Sequence, residues 1–369
     1  MRMEFKPNNP VQVGLLLLLI IGGILFLEST KAKPLGNENT QKTLAESESA
    51  KRLLYPSAPE LQNIAGYVNV PHGFSLSDVK GKVILVDFWT YSCINCIRTL
   101  PYLKAWHEQY ADKGLVIVGV HTPEFAFEEE YENVKAAVEK QGIEYAVVLD
   151  NEYATWRAYK NQYWPRKYLV DADGFIRYDH IGEGGYEETE KMIQKLLTER
   201  DEKLSLEGIA SEEINAATEF SKIGTPEIYL GYDFARAPLG NAEGFQPNEI
   251  VVYALPSSVE KNRVYLEGTW ENHSDHVRLA SDTGKIVLKY EAKSVNIVAG
   301  GTAQVEVEPG QSPGINALGT DAQNVNGKAV VQVAGQKLYN VVSDSDYFEK
   351  TLTLHVNGKG FELYTFTFG

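Results

Sequence analysis

Two seven-residue runs, VILVDFW (Val83–Trp89) and LVIVGVH (Leu115–His121), constrain the fold of this 369-residue chain more than any other feature. Both are almost wholly apolar, so a strand made from either must be covered on both faces. Helices have to supply the cover, and the spacing provides them. Cys96–Tyr110 follows the first run with helical periodicity, and Phe125–Gln141 (FAFEEEYENVKAAVEKQ) follows the second. Tyr145–Leu149 reads as a strand and Glu152–Lys160 as a short helix. Lys167–Val170 and Phe175–His180 flank Asp171-Ala172-Asp173-Gly174 as a hairpin, and Glu187–Thr198 closes the unit as a helix. The pattern is an α/β layout.

The texture changes after residue 200. Residues 200–249 read as a polar connector that contains TPEIYLG (225–231). From Glu249 on, short alternating runs such as RVYLEGTW, KIVLKYEA, AQVEVEP and FELYTFTFG are separated by Gly, Asn, Asp and Pro. That spacing predicts an all-β sandwich of jelly-roll type over 250–369. Trp270, Tyr265, Tyr290, Tyr339, Tyr347 and Tyr364 are assigned mostly to its core, with sugar stacking as their alternative use. His273 and His276, in ENHSDHV, read as solvated turn residues.

The first 30 residues are a separate object. Arg2 and Lys6 precede an apolar run of 17 residues, Val11–Leu27, and a polar stretch follows it. The expected organisation is an N-terminal transmembrane segment within 1–30, a tether over 31–60, the α/β domain over 61–199, the connector over 200–249 and the sandwich over 250–369. A cleaved signal is the alternative to an anchor. Either reading puts the bulk of the chain outside the cytoplasm, with single-pass attachment to a bacterial membrane and a periplasmic catalytic domain. The formal net charge of −15 and the lack of a basic stripe exclude a nucleic-acid partner.

The chain has only two cysteines, Cys93 and Cys96, in WTYSCINCIRTLPYL. A disulfide closing so small a loop removes little unfolded-state entropy, which makes it a poor staple. A zinc site needs four ligands, and the only other matching pair is the distant His273/His276. A redox role suits the position at a strand-to-helix junction. There the helix N-terminus is expected to stabilise a thiolate on Cys93, lowering its pKa, with Cys96 one turn in as the resolving thiol. No metal or organic cofactor is expected; the redox centre is the Cys93–Cys96 pair itself.

The segment VILVDFWTYSCINCIRTLP resembles the active-site segment of the thioredoxin superfamily. The resemblance implies a thioredoxin-like fold and gives several residues a role. Asp87 matches the buried acid that relays a proton to the second cysteine. Trp89 matches the tryptophan beside the site, and Pro101 the proline inside the helix. Tyr163-Trp164-Pro165 matches the cis-proline loop, implying a cis Trp164–Pro165 bond facing the sulfurs. Together with GVHTPEF (119–125), TPEIYLG and the final LYTFTFG (363–369), the chain is similar to the extracytoplasmic part of DipZ-type proteins. Those join a TlpA-like thioredoxin domain to a sandwich resembling carbohydrate-binding modules. The resemblance implies exchange with protein thiols and disulfides, chiefly as a reductant. It also implies electrons from a separate membrane protein of the CcdA/DsbD type, because this chain has one apolar segment where DipZ proteins have a multi-span domain. Two rivals stand beside it. Thr90-x-x-Cys93 fits the motif of peroxiredoxin-type peroxidases, although Val86–Trp89 lacks their proline. Alternatively, the protein is a carbohydrate-binding one in which the sandwich does the work.

Overall fold

The computed structural model describes residues 48–201, 203–206, 208, 214, 220–310 and 318–369. The expected anchor over Val11–Leu27 and most of the expected tether lie outside the described residues. No helix among the described residues is long and apolar enough to cross a membrane. The chain divides into a unit Met1–Pro56, in which Glu48–Leu54 is a helix (α1), and a unit Ser57–Gly369.

The larger unit begins with a six-stranded sheet. Its strands are β1 (Gly66–Val68), β2 (Val83–Trp89), β3 (Leu115–His121), β4 (Ala146–Leu149), β5 (Arg166–Val170) and β6 (Ile176–Ile181), in the order β1-β4-β3-β2-β5-β6. The central strands β2, β3 and β4 run parallel, and β1, β5 and β6 pair antiparallel. The two runs that opened the sequence argument are therefore neighbours in the middle of the sheet, at the limits the sequence predicts. All seven residues of β2 are buried because its faces alternate between two cores. Val83, Leu85 and Trp89 pack with helices α2 (Ile94–Tyr110), α3 (Tyr131–Gln141) and α5 (Tyr186–Arg200). Ile84, Val86 and Phe88 pack on the opposite side with Trp156 and Tyr159, at and just past α4 (Ala154–Ala158).

The helix expected over Phe125–Gln141 is interrupted. Ala126–Glu129 is a single 3-10 turn, and α3 starts only at Tyr131. Phe125 and Phe127 turn into an aromatic cluster with Tyr364, centroids 5.1 and 4.8 Å away. Glu128 turns inward as well and is fully buried. Tertiary packing outweighs helical periodicity here.

The second part is β-rich. Nine strands follow a short β7 (Ile228–Tyr229): β8 (Ile250–Tyr253), β9 (Val264–Asn272), β10 (Val277–Leu279), β11 (Thr283–Gly300), β12 (Thr302–Glu308), β13 (Ala322–Val325), β14 (Lys328–Ala334), β15 (Lys337–Asn357) and β16 (Glu362–Phe368). They form one antiparallel hydrogen-bonded sheet in the order β13-β14-β12-β15-β11-β16-β10-β9-β8, with β7 on β16 and a further pairing of β11 with β9. The long strands β11 and β15 pair along their length, with register breaks between Ala292 and Ser294 and between Val295 and Asn296. The first half of β11 also pairs with β9, and its second half with β16. Trp270, Tyr265, Tyr290, Tyr339 and Tyr364 are buried, as the core assignment expects. Tyr347 is only partly buried.

TPEIYLG belongs to this second part. Tyr229 and Ile228 pair with Thr365 and Phe366, and Leu230 N donates to Tyr364 O at 2.8 Å. Gly231 sits against the His273–His276 turn so closely that a Cβ would lie 2.2 Å from Asp275 Cα. The two parts share one core: Tyr229, Val298 and Tyr364 pack in the same cluster as Trp89, Cys96 and Phe125.

Candidate active site

Cys93 caps the N-terminus of α2, and its sulfur accepts a hydrogen bond from Cys96 N at 3.2 Å. Cys93 is partly exposed and Cys96 buried. A sulfur at this position faces the free amides of the first helical turn, the arrangement that favours a thiolate. The rest of the surroundings act the other way. Desolvation is the largest influence on Cys93, and the carboxylates of Glu124 and Glu227 add to it, so its pKa is raised despite the hydrogen bonds from Cys96. The expected lowered pKa is thereby corrected: the helix terminus is present, but burial and nearby acids outweigh it. Cys96 is held well above the ordinary thiol value, again by burial first, with Cys93 and Asp87 contributing.

Asp87 lies on β2, on the face that packs against α2. It is fully buried, and neither carboxylate oxygen has a hydrogen-bond partner among the described residues. Burial lifts its pKa to about 7, and Lys167 opposes the rise. Lys167 stands directly across from Asp87 in the antiparallel pairing of β2 with β5, and its side chain is buried too. Burial pushes Lys167 down, while Asp87, Cys96 and Glu183 pull it up. An isolated buried lysine would be costly, so its place beside an orphaned carboxylate and a thiol is informative.

Trp89 is fully buried at the end of β2, edge-on to His121 at 5.3 Å. It fits because residue 119 is glycine: a Cβ there would lie 2.9 Å from Trp89 Nε1. His121 is buried, and burial lowers its pKa to about 3, so it is neutral. Its Nε2 accepts from Tyr91 N and lies 3.3 Å from Thr90 Oγ1, which fixes the approach to Cys93. The Trp164–Pro165 bond is cis. Trp164 donates from Nε1 to Thr122 O at 3.1 Å and packs, like Cys93, against the core that contains Cys96.

Four further residues belong to this neighbourhood and went unrecognised in the sequence. Glu128 accepts from Ser92 Oγ at 2.5 Å, from Glu124 N at 2.6 Å and from Phe125 N at 3.0 Å, tying the loop after β3 to the residue before Cys93. Glu124 is raised to about 8, chiefly by burial. Tyr229 and Glu227 come from the second part of the chain. Tyr229 donates to Glu124 Oε1 at 2.7 Å, and Glu227 Oε1 lies 3.5 Å from the Asn95 amide between the two cysteines. The only sequence signal for the last two is the TPEIYLG motif itself.

A redoxin family model matches residues 58–197, and a model described as a thioredoxin-like C-terminal domain matches 225–369. The chain belongs to the thioredoxin superfamily. Within that superfamily it is 34% identical over 316 residues to protein DipZ of Mycobacterium bovis, an alignment covering 85% of this chain and 43% of DipZ. The chain thus spans less than half the length of that relative. The redoxin part is 28% identical over 120 residues to thiol-disulfide oxidoreductase YkuV of Bacillus subtilis, covering 32% of this chain and 80% of YkuV. The thioredoxin domain of a thiol-disulfide oxidoreductase from Bacteroides vulgatus aligns at 30% identity with a TM-score of 0.32, over 37% of this chain and 96% of that domain.

Proposed function

We propose that this protein is an extracytoplasmic thiol–disulfide oxidoreductase that reduces disulfides in protein substrates through Cys93 and Cys96. The observation that carries the reading is Cys93 at the head of α2, with its sulfur on the Cys96 amide. In the first step the Cys93 thiolate attacks one sulfur of a substrate disulfide. A mixed disulfide forms, and the other substrate sulfur leaves as a thiolate that takes up a proton. Cys96 then gives its proton to Asp87 and attacks Cys93 Sγ. This releases the second substrate sulfur and leaves a Cys93–Cys96 disulfide, so two electrons have passed to the substrate. Asp87, raised to about 7, is matched to proton transfer near neutral pH. Trp89, Trp164 and Pro165 are assigned to shaping the site.

The acidity of the first thiol supports the reductive direction. A strongly stabilised thiolate makes a dithiol pair oxidising, and at Cys93 burial, Glu124 and Glu227 work against such stabilisation. Electrons would return from a separate membrane dithiol protein of the CcdA/DsbD type. In the same reading Val11–Leu27 anchors the chain in a bacterial membrane, residues 31–60 form the tether, and the domain over 61–199 acts in the periplasm. The region 250–369, joined through 200–249, is a jelly-roll sandwich of the carbohydrate-binding-module kind. Sugar binding there has little to recommend it, since five of its six candidate stacking rings are buried. Nor does a peroxidase gain support, because the Thr90 hydroxyl is buried beside His121.

The Cys96→Ser variant tests the reading. It leaves Cys93 able to attack but with no resolving thiol, so mixed disulfides with protein partners should accumulate and be identifiable by mass spectrometry. Catalytic peroxide consumption by the wild type with no trapped partner would overturn it. A glutathione titration giving a potential near the roughly −120 mV of strong protein oxidants would overturn the direction.

A further inference from the structure

The groups beside Cys93 do not all come from the redoxin part. Tyr229 lies on β7, which is held to the second part by its pairing with β16, by Leu230 N on Tyr364 O and by Thr365 Oγ1 donating to Ile228 O at 3.0 Å. From that anchorage the tyrosine hydroxyl reaches Glu124 Oε1 at 2.7 Å, with Glu227 Oε2 a longer 3.4 Å away. Arg236 covers the tyrosine ring, its guanidinium carbon 4.9 Å from the centroid. Glu124 is close enough to Cys93 for its charge to act on the thiol. The contact therefore joins a group fixed in one part to a carboxylate beside the reacting sulfur of the other.

We propose that the second domain completes the active site, with Tyr229 as a positioning residue that acts through Glu124 on Cys93. The inference rests on the reading of Cys93 as the attacking thiol and adds to it that the chemistry needs both parts of the chain. A hydroxyl donating to a carboxylate stabilises the charged form. It thereby sets the pH at which Glu124 acquires its charge, and that charge in turn disfavours the Cys93 thiolate. The other groups facing Glu124 are Glu128 on its own loop, Glu227 and Arg236 from the second part, and Tyr153 at the start of α4. Glu128 and Glu227 raise Glu124, Arg236 and Tyr229 lower it, and burial exceeds each of them. Tyr229 makes the one short hydrogen bond among these second-part groups, so it is the one to remove.

The test is the pH profile of Cys93 alkylation in the full, reduced chain, read at the Cys93 peptide by mass spectrometry. Wild type should show an inflection near pH 8 from Glu124. Tyr229→Phe keeps the ring and removes the hydroxyl. It should move that inflection up by about one pH unit, a tenfold change in the proton equilibrium. Glu124→Gln should abolish the inflection, and Tyr229→Phe added to it should change nothing further. A Tyr229→Phe profile that superimposes on wild type would overturn the proposal, as would a shift that survives in the Glu124→Gln background. A purely structural tyrosine would lower the unfolding temperature without moving the inflection. Failure of the underlying reading looks different: Cys93→Ser would retain disulfide reduction.

Discussion

Two buried carboxylates flank the cysteine pair, and they are held in opposite ways. Glu128, in the loop after β3, receives short hydrogen bonds from Ser92 Oγ and from two backbone amides. Asp87, on the strand beneath Cys96, has neither oxygen hydrogen-bonded among the described residues and faces the buried Lys167 across the sheet. Burial raises the pKa of both. The partners decide what each can do. A carboxylate that holds four donors, the Ser92 amide among them, is committed to structure, because taking up a proton would spoil those bonds. One without donors loses little by accepting a proton, which is what a relay to Cys96 requires.

The contrast is tested most severely at Glu128. Glu128→Ala strands the Ser92 hydroxyl and the amides of Ser92, Glu124 and Phe125 inside the protein. A loss of roughly 3–5 kcal/mol in unfolding free energy is expected, since orphaned buried donors cost their full desolvation. Denaturant unfolding measures it. A loss below about 1 kcal/mol, the scale of an ordinary surface substitution or single net hydrogen bond, would mean the loop does not depend on this acid.

Asp87 should behave in the reverse sense. Its folded pKa, about 7, lies above the ordinary 3.8. The folded state therefore binds the extra proton between those values, and the stability associated with it is present at low pH and lost as pH rises through about 7. Asp87→Asn removes that dependence. Relative to wild type, the variant should gain roughly 2–4 kcal/mol between about pH 5 and about pH 8.5, read by unfolding at both. The same variant should release mixed disulfides on the order of 10²-fold more slowly while Cys93 alkylates at nearly its original rate. Equal release rates would sink the relay.

The two acids were not equally legible in the sequence. Asp87 stands out because it is the one charged residue in an apolar seven-residue strand, and the same run gives the limits of β2. Cys93, Cys96 and the Trp164-Pro165 pair are local motifs that a reader of the chain can find. Glu128 sits in the acidic stretch FAFEEEYE, which reads as the solvated face of a helix; nothing local says that its partner is Ser92, 36 residues back. Helix α2 begins at Ile94 rather than Cys96 because the capping sulfur is itself the start signal. Lys167 and Tyr229 acquire their meaning only from strand pairing, with β2 and with β16. Register across a sheet is set by tertiary structure, so a lysine placed under a thiol looks in sequence like any surface lysine.

That lysine gives the smallest expected effect and the finest test of the comparison. If Asp87 works because it is unpartnered, Lys167 tunes it by charge alone rather than holding it by a hydrogen bond. Lys167 lowers the Asp87 pKa against burial, so Lys167→Met should raise it above about 7. The pH midpoint of the resolving step should then move upward by up to about one unit. At neutral pH less Asp87 is ionised, and release of mixed disulfides slows several-fold; at about pH 9, where Asp87 is ionised in either protein, the rates should converge. Cys96 moves the same way, because the lysine charge also reaches it. The Cys93 alkylation profile is the internal control, since Glu124 and Glu227, not Lys167, are the charges that act on that thiol. Slowing of the resolving step equally at every pH would show a packing defect instead, and the lysine would then be a support for β5 rather than a tuner of the acid beneath Cys96.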